Sequence, residues 1–264
     1  MTTSATALDA AHAAMQVAPD DDAARLRYYE RLADGELFLL LTEEARGDSF
    51  APQVFDLDDG PVVLAFDAED RLSDFTGTVT PYAALPGRVI IGTLAGQGIG
   101  LGVNLGVAPS SMLLPPAAVD WLATTLKHGP QLLEARAQSF HAPTALPQNL
   151  LQGLEAKLAR AGGMAGFALL SGVIYADGRR GHMLAFVDAD PDAEAPLARA
   201  SAEALTFSGV DAGEMDVTFL ASADPACAAM ARVALRFDLP RPVVAEPAAP
   251  RAPGADPTRP PILR

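Results

Sequence analysis

Cysteines, lysines and aromatic residues are scarce in this sequence of 264 residues. Cys227 is the only cysteine, which excludes an internal disulfide framework and every metal site built from several cysteines. The four histidines show neither HxxxH nor HExxH spacing, and no serine stands in a Gly-x-Ser-x-Gly motif. We therefore expect no bound metal, no cofactor and no catalytic residue of a common type.

Basic residues are also few, with 19 against 33 acidic residues and a net charge of −14. A nucleic-acid-binding surface requires a basic patch, so this charge balance argues against a nucleic-acid partner. Most of the negative charge lies in residues 1–126, which carry 18 acidic and 6 basic residues. Self-repulsion that keeps the protein soluble is the simplest interpretation. An acidic docking face for a partner is the alternative.

A membrane-spanning or secretory segment is not apparent. Met1 to Ser4 lack a basic region followed by an apolar one. The 31 uncharged residues between Arg88 and Asp120 are interrupted by many glycines and prolines, which a membrane helix tolerates poorly. We expect a cytoplasmic protein without membrane association.

Turn signals divide the chain into four parts. We predict a first domain at residues 1–126, a connector with Gly129 and Pro130 at 127–145, a second domain at 146–239 and a flexible tail at 240–264. The tail has eight prolines in 25 residues and no core-forming pattern. Helices and antiparallel strands alternate irregularly in both domains, so we predict an α+β fold.

The periodicity of apolar residues and the turn signals assign individual elements. In the first domain they predict two helices before Gly35, a helix starting at Pro116, and strands at 37–41, 53–57, 61–66, 89–91, 101–104 and 112–114. In the second domain they predict helices at 147–162, 196–205 and 225–237, and strands at 166–175, 182–187 and 215–220.

A glycine run at residues 96–102 is one candidate binding site. Its spacing fails the dinucleotide-binding fingerprint, and no Gly-Lys-Ser/Thr follows it. Two interpretations stay open. The glycines permit sharp turns between short strands, or their uncovered amides form an anion-binding loop with the side-chain amide of Asn104. In the second case Gly96, Gly98, Gly100 and Asn104 are the binding residues.

Arg179 and Arg180 follow the turn signal Asp177-Gly178 and form a second candidate site. On a hairpin tip the two guanidinium groups can bind an anion or an acidic partner. The alternative is that they are solvated surface residues.

Two further features support the alternative that the protein is an enzyme. The carboxylates between Asp67 and Asp74 crowd after a strand and are suited to acid–base chemistry, although a solvated loop explains them too. Cys227 falls in the first turn of a predicted helix capped by Asp224, where the helix dipole lowers a thiol pKa. An apolar stripe that continues through Met230, Val233 and Phe237 instead predicts a buried, unreactive thiol.

Several segments of the sequence resemble those of the enhanced-serine-sensitivity (SseB) family, whose members carry an N-terminal and a C-terminal SseB-type domain. In the first half they are 27–32 (RYYERL), 36–39 (ELFL), 61–67 (PVVLAFD), 102–106 (GVNLG) and 112–115 (MLLP). The second half shows a looser similarity through its element order and 172–175 (GVIY). The resemblance implies a bacterial cytoplasmic protein connected with serine tolerance, and it implies no established active site.

Taken together, the residues and the resemblance favour a non-enzymatic protein that binds a protein partner or a small anionic metabolite and modulates amino-acid metabolism. A metal-free enzyme that uses Cys227 or the Asp67–Asp74 carboxylates is the first alternative. A structural subunit of an assembly is the second.

Overall fold

The computed structural model describes residues 5–240 except 46, 48–49, 59, 128–135 and 210–214. Its helices are α1 (Ala7–Val17), α2 (Asp22–Asp34), α3 (Glu69–Thr76), α4 (Gly87–Leu94), α5 (Pro116–Lys127), α6 (Gln148–Leu158), α7 (Glu194–Phe207) and α8 (Pro225–Ala231). Its strands are β1 (Glu36–Leu40), β2 (Val54–Leu57), β3 (Gly60–Phe66), β4 (Tyr82–Pro86), β5 (Gly100–Val103), β6 (Met112–Leu114), β7 (Ala137–His141), β8 (Phe167–Tyr175), β9 (Arg180–Val187), β10 (Met215–Leu220) and β11 (Leu235–Asp238). The predicted tail after Pro240 and the middle of the predicted connector lie outside the described residues.

The first half forms a sheet with the strand order β4-β1-β3-β5-β6, and β2 also pairs with β3. All these pairings are antiparallel except β3 with β5. Alternation along β1 sends Leu37 and Leu39 to one core and Phe38 and Leu40 to another on the opposite face. Helices α1, α2, α4 and α5 cover the first face, and α3 covers the second.

The second half forms a sheet with the strand order β10-β9-β8-β11, and β7 also pairs with β8. Its one parallel pair is β9 with β10. Helices α6 and α7 bury their apolar residues on one face, and α8 buries Cys227 and Met230 on the other. The predicted α+β class is therefore confirmed, with one parallel strand pair in each otherwise antiparallel sheet.

The two halves share an order of elements that determines how they meet. If β2, α3 and β4 are left aside, each contains a helix, two antiparallel strands, a helix, and a strand parallel to the second. These elements are α2-β1-β3-α4-β5 in the first half and α6-β8-β9-α7-β10 in the second. Within each half the two helices pack together, and α2 also packs against α7. The helical layers therefore face each other between the sheets.

Three sequence predictions need correction. Val89–Ile91 is not a strand but lies in α4, because Ile90, Ile91 and Leu94 recur at helical spacing and are buried against the sheet. The helix that was predicted to reach Phe237 ends at Ala231, and the chain returns as β11 to pair with β8. Residues 137–141 of the predicted connector form β7, a strand of the second sheet.

Helix α3 and strand β4 were not predicted. Glu69–Thr76 has few apolar residues, and β4 lies at the edge of its sheet, where its burial is only partial. Among the described residues, no helix combines the length and the apolar character that crossing a membrane requires.

Candidate functional site

A cluster of buried charges joins the two halves of the chain. Lys157 on α6 places its Nζ 2.9 Å from Asp34 Oδ2, 3.0 Å from Glu203 Oε2 and 3.5 Å from Glu30 Oε1. The side chains of all four residues are less than a tenth exposed. Glu30 and Asp34 belong to α2 and Glu203 to α7, so this lysine bridges the facing helical layers.

Two arginines complete the cluster. Arg88 on α4 donates two hydrogen bonds of 3.1 Å to the carboxylate of Glu203 and a third to Asp34. Arg160, just after α6, donates to the carbonyl oxygen of Asp34 at 3.2 Å. Three carboxylates thus face three cations, with partners drawn from both halves. Charge-assisted and paired contacts of this kind give a buried cluster a fixed geometry.

The cluster shifts the pKa values of its members in opposite directions. Burial raises the pKa of Glu30 more than the positive charge of Lys157 lowers it. Burial alone would raise the pKa of Asp34. The charges and hydrogen bonds of Lys157 and Arg88 outweigh burial and hold the pKa of Asp34 below its usual value. The neighbouring carboxylates outweigh burial at Lys157 and raise its pKa, so the lysine stays charged.

A cleft of about 540 Å³ opens beside the cluster. Its charged lining consists of Asp34, Arg88, Lys157, Arg160, Arg199 and Glu203. Its apolar lining comes from the end of α6 and the start of α7, at Ala161, Met164, Ala195, Pro196, Leu197 and Ala200. Arg199 is exposed and has no ion pair or side-chain hydrogen bond among the described residues. Its guanidinium is therefore the cation of the cleft that remains available to a ligand.

The glycine-run candidates lie elsewhere, in the first half. Gly96 and Gly98 are exposed and have φ angles of +76° and +69°, which suits sharp turns. The amide of Gly96 donates to Asp120 Oδ1 at 2.7 Å, so a carboxylate already occupies the position that an anion would take there. Gly100 is buried in β5, where an added Cβ would lie 2.7 Å from the carbonyl oxygen of Leu114.

Asn104 is fully buried and belongs to a polar network under α1. Its Oδ1 accepts from the amide of Asp67 at 3.1 Å, and its Nδ2 donates to Ser110 Oγ at 2.9 Å. Asn104 has a φ of +52°, a conformation that asparagine tolerates better than most residues. The side-chain amide that was a candidate anion ligand is thus engaged within the protein.

At the centre of that network, Arg71 bridges Asp9 and Asp67. It pairs with both carboxylates, at 2.7 Å in the case of Asp67, and Ser110 Oγ donates to Asp9 at 2.5 Å. Burial alone would raise the pKa of Asp9. The hydrogen bonds from Arg71 and Ser110 outweigh burial and hold the pKa of Asp9 well below its usual value. Asp67, a member of the carboxylate group considered for catalysis, is therefore held in an ion pair that fixes α1 and α3 to the sheet.

The two hairpin arginines do not meet the glycine run. Arg179 stacks on the ring of Tyr175 at 4.0 Å and pairs with Asp216 at 3.0 Å. Arg180 is exposed at the start of β9. Both lie at the β8–β9 turn of the second half, whereas Gly96, Gly98 and Gly100 lie in the first.

Cys227 lies in the first turn of α8, and Asp224 caps this helix as the sequence predicts. The thiol is buried, and burial together with Asp188 and Asp224 raises its pKa. This direction is that of an unreactive thiol. Within the described residues, no three side chains of histidine, cysteine, aspartate or glutamate are arranged to hold a metal ion.

Sequence reasoning missed every member of the buried charge cluster. One signal was present, because Lys157 stands among Leu150, Leu154 and Leu158 on the apolar face of its helix. A charged residue at such a position indicates a buried partner. The partners themselves come from distant parts of the chain and leave no local pattern.

Residues 8–121 match the family model described as the SseB protein N-terminal domain. No curated protein and no solved structure matches the chain. The C-terminal SseB-type domain predicted at residues 146–239 is not covered by the match and stays a prediction. The matched segment contains the five first-half segments on which the resemblance was based, but not 172–175, and it extends from α1 into α5. Residues 8–121 of the chain are therefore similar to the N-terminal domain of the SseB family.

Proposed function

We propose that the protein is a non-enzymatic binding protein for a small anionic metabolite, which occupies the cleft between the two halves. The unpaired guanidinium of Arg199 at the wall of this cleft carries the proposal. In a chain with a net charge of −14, a cation without a partner at the wall of an open cleft favours a carboxylate or phosphate ligand.

The size and lining of the cleft support a metabolite. A volume of about 540 Å³ falls within the range of roughly 300–1,000 Å³ that small-molecule sites occupy. The lining combines apolar side chains, among them Met164, Pro196 and Leu197, with the charged residues of the cluster. Such a lining can bury the carbon skeleton of a ligand and orient its charged group.

Binding without a reaction is the simpler role for this arrangement. Each acidic side chain in the lining, Asp34 and Glu203, is committed to cations of the cluster. A general base needs a lone pair directed at the substrate, and these carboxylates direct theirs at Lys157 and Arg88. The two features that carried the enzyme alternative, Cys227 and Asp67, are buried away from this cleft.

The family connection narrows the ligand class. The SseB resemblance implies serine tolerance in a bacterial cytoplasm, so we propose amino acids, their keto acids or related phosphates as ligands. Because the cleft is lined by residues of both halves, ligand binding would change the relative position of the halves. The protein would in this way respond to the level of the metabolite.

A thermal-shift screen tests this function. L-serine, pyruvate and inorganic phosphate, each at millimolar concentration, are added to the protein, and at least one of these ligand chemistries is expected to raise the melting temperature, because a ligand that binds only the folded state stabilises it. Arg199→Ala should abolish the shift, and Arg180→Ala, an equal change at the hairpin, should preserve it. The proposal fails if none of the three compounds raises the melting temperature, or if Arg180→Ala removes the shift and Arg199→Ala does not.

A further inference from the structure

A second concave surface lies on the first half, between α2 and α5. This groove, of about 400 Å³, is lined by Asp22, Arg25, Leu26, Tyr29, Ala118 and Trp121. Trp121 is the only tryptophan of the chain and is 44% exposed. Its ring centroid lies 5.6 Å from that of Tyr29, with the two planes tilted by 53°. The groove is thus an aromatic platform that remains open to solvent.

One end of the groove is acidic. Asp20, Asp21 and Asp22 are exposed at the start of α2, and the side chain of Asp22 reaches the groove lining. Arg25 pairs with Asp22 at 2.5 Å, which leaves the other two carboxylates in excess. The whole first half is acidic as well, so the surroundings of the groove attract a cationic segment.

The chemistry of this surface fits a proline-rich segment that contains arginine. Pairs of exposed aromatic rings bind polyproline II helices, because the preformed conformation loses little entropy and proline rings pack on aromatic faces. An acidic end selects arginine over other flanking residues, since a carboxylate accepts hydrogen bonds from a guanidinium.

The chain itself carries such a segment after Pro240. Pro247, Pro250 and Pro253 recur at intervals of three residues, and the polyproline II helix has three residues per turn, so the three rings share one edge. Arg251 follows the central proline. Residues 241–264 have four arginines and two acidic residues, the opposite balance to the first half.

The segment begins at a position from which it can reach the groove. The carbonyl of Pro240 accepts from the amide of Gly163 at 3.0 Å, close to the cleft end of α6. The seven residues from Arg241 to Pro247 span about 22 Å in polyproline II conformation. Arg160, three residues before Gly163, contacts Asp34 at the end of α2, and Tyr29 lies five residues earlier in α2, about 7.5 Å along the helix axis. The groove is within reach of the segment on its own molecule.

We propose that residues 247–253 dock on the Tyr29–Trp121 groove of the same molecule, with Arg251 paired to the carboxylates at the start of α2. The occupant is the proline-rich segment itself, in polyproline II conformation. Such docking covers the exposed tryptophan and ties the end of the second half to the first, independently of the metabolite cleft.

The single tryptophan makes the test direct, because all tryptophan emission of the full chain comes from Trp121. The test variant changes Pro247, Pro250 and Pro253 to serine together. The matched control changes the same number of prolines in the same segment, Pro257, Pro260 and Pro261, to serine. We expect the test variant to show a red-shifted emission maximum and an acrylamide quenching constant about twofold higher than wild type, as release of the segment exposes the indole. We expect the control to resemble wild type.

A second full-length variant examines the charge pairing. Arg251→Glu should raise the quenching constant as the proline variant does, whereas Arg264→Glu, an equal change of charge, should leave it unchanged. Equal quenching in wild type and the test variant overturns the proposal. Quenching that depends on protein concentration, with a dimeric mass in solution, also overturns it, because the groove would then hold the segment of a second copy.

Discussion

Lys157→Met is the substitution that most severely perturbs the buried charge cluster. Methionine keeps an unbranched apolar side chain of similar length, so the packing of the lysine stem is largely retained. The positive charge is lost, and Glu30, Asp34 and Glu203 then face only Arg88 and the half-exposed Arg160. The variant therefore tests charge balance with little change in volume.

The expected cost follows from the burial of the partners. Removing one member of a buried ion pair costs about 3–5 kcal/mol, because the remaining charge is left without compensation. Domains are stable by only about 5–15 kcal/mol, so this variant should be severely destabilised. Glu30→Gln in the same chain should recover part of the loss, since it removes one of the three uncompensated carboxylates.

Denaturant unfolding measures the effect, with the only other lysine as a control. Lys127 is exposed in the last turn of α5, and Lys127→Met should change the unfolding free energy by no more than about 0.5 kcal/mol. The reasoning is refuted if Lys157→Met lies within about 1 kcal/mol of wild type. It is also refuted if adding Glu30→Gln destabilises the Lys157→Met chain further.

Three more predictions concern other parts of the structure. Gly87→Ala should destabilise by about 1–3 kcal/mol or more in denaturant unfolding, because its Cβ would lie 1.9 Å from the carbonyl oxygen of Leu32. Gly92→Ala, in the same helix but with open space around it, should instead stabilise by about 0.5–1 kcal/mol, and equal effects of the two changes would contradict the close approach of α4 to α2. Cys227 should react slowly with a thiol reagent at pH 7 and faster after unfolding, and equal rates in both states would show an accessible thiol. Because the pKa of Glu30 is raised in the folded state, ionisation of Glu30 destabilises the protein as the pH rises above about 4.3. The stability of Glu30→Gln relative to wild type should therefore increase between pH 4 and pH 8. A decrease over that range would contradict the raised pKa.

Local turn and cap chemistry explains where the fold could be predicted. The Asp177-Gly178 hairpin is found with a φ of +84° at the glycine, and Gly60 ends its turn at +116°. Asp224 caps α8 and Gly35 ends α2, as the sequence indicates. In each case the residue that forms the turn or the cap lies within a few residues of the backbone groups that it affects. A short stretch of sequence is therefore enough to predict the turn or the cap.

Interactions between distant residues explain the errors. Val89, Ile90 and Ile91 are β-branched and favour a strand locally, but packing of Ile90 and Ile91 in the core against other helices selects a helix. Phe237 follows Met230 at helical spacing, yet pairing with β8 takes it into a strand.

The candidate site was the least predictable feature. Its charged residues are spread from Glu30 to Glu203, and they meet only because α2, α4, α6 and α7 face one another. Asn104 was identified as a residue of interest from its place among glycines, but its partners Asp67 and Ser110 assign it to the buried network. A sequence pattern shows that a polar residue is unusual, and only the fold shows what it contacts.

The claim that an anion binds in the cleft between the two halves is tested most directly by calorimetric titration of the ligand that gives the largest thermal shift. The account predicts saturable binding to wild type, an unchanged dissociation constant for Arg180→Ala, and a dissociation constant about 10–100-fold higher for Arg199→Ala, as the loss of a charged hydrogen bond of roughly 1.5–3 kcal/mol requires. Equal affinities of wild type and Arg199→Ala would contradict it.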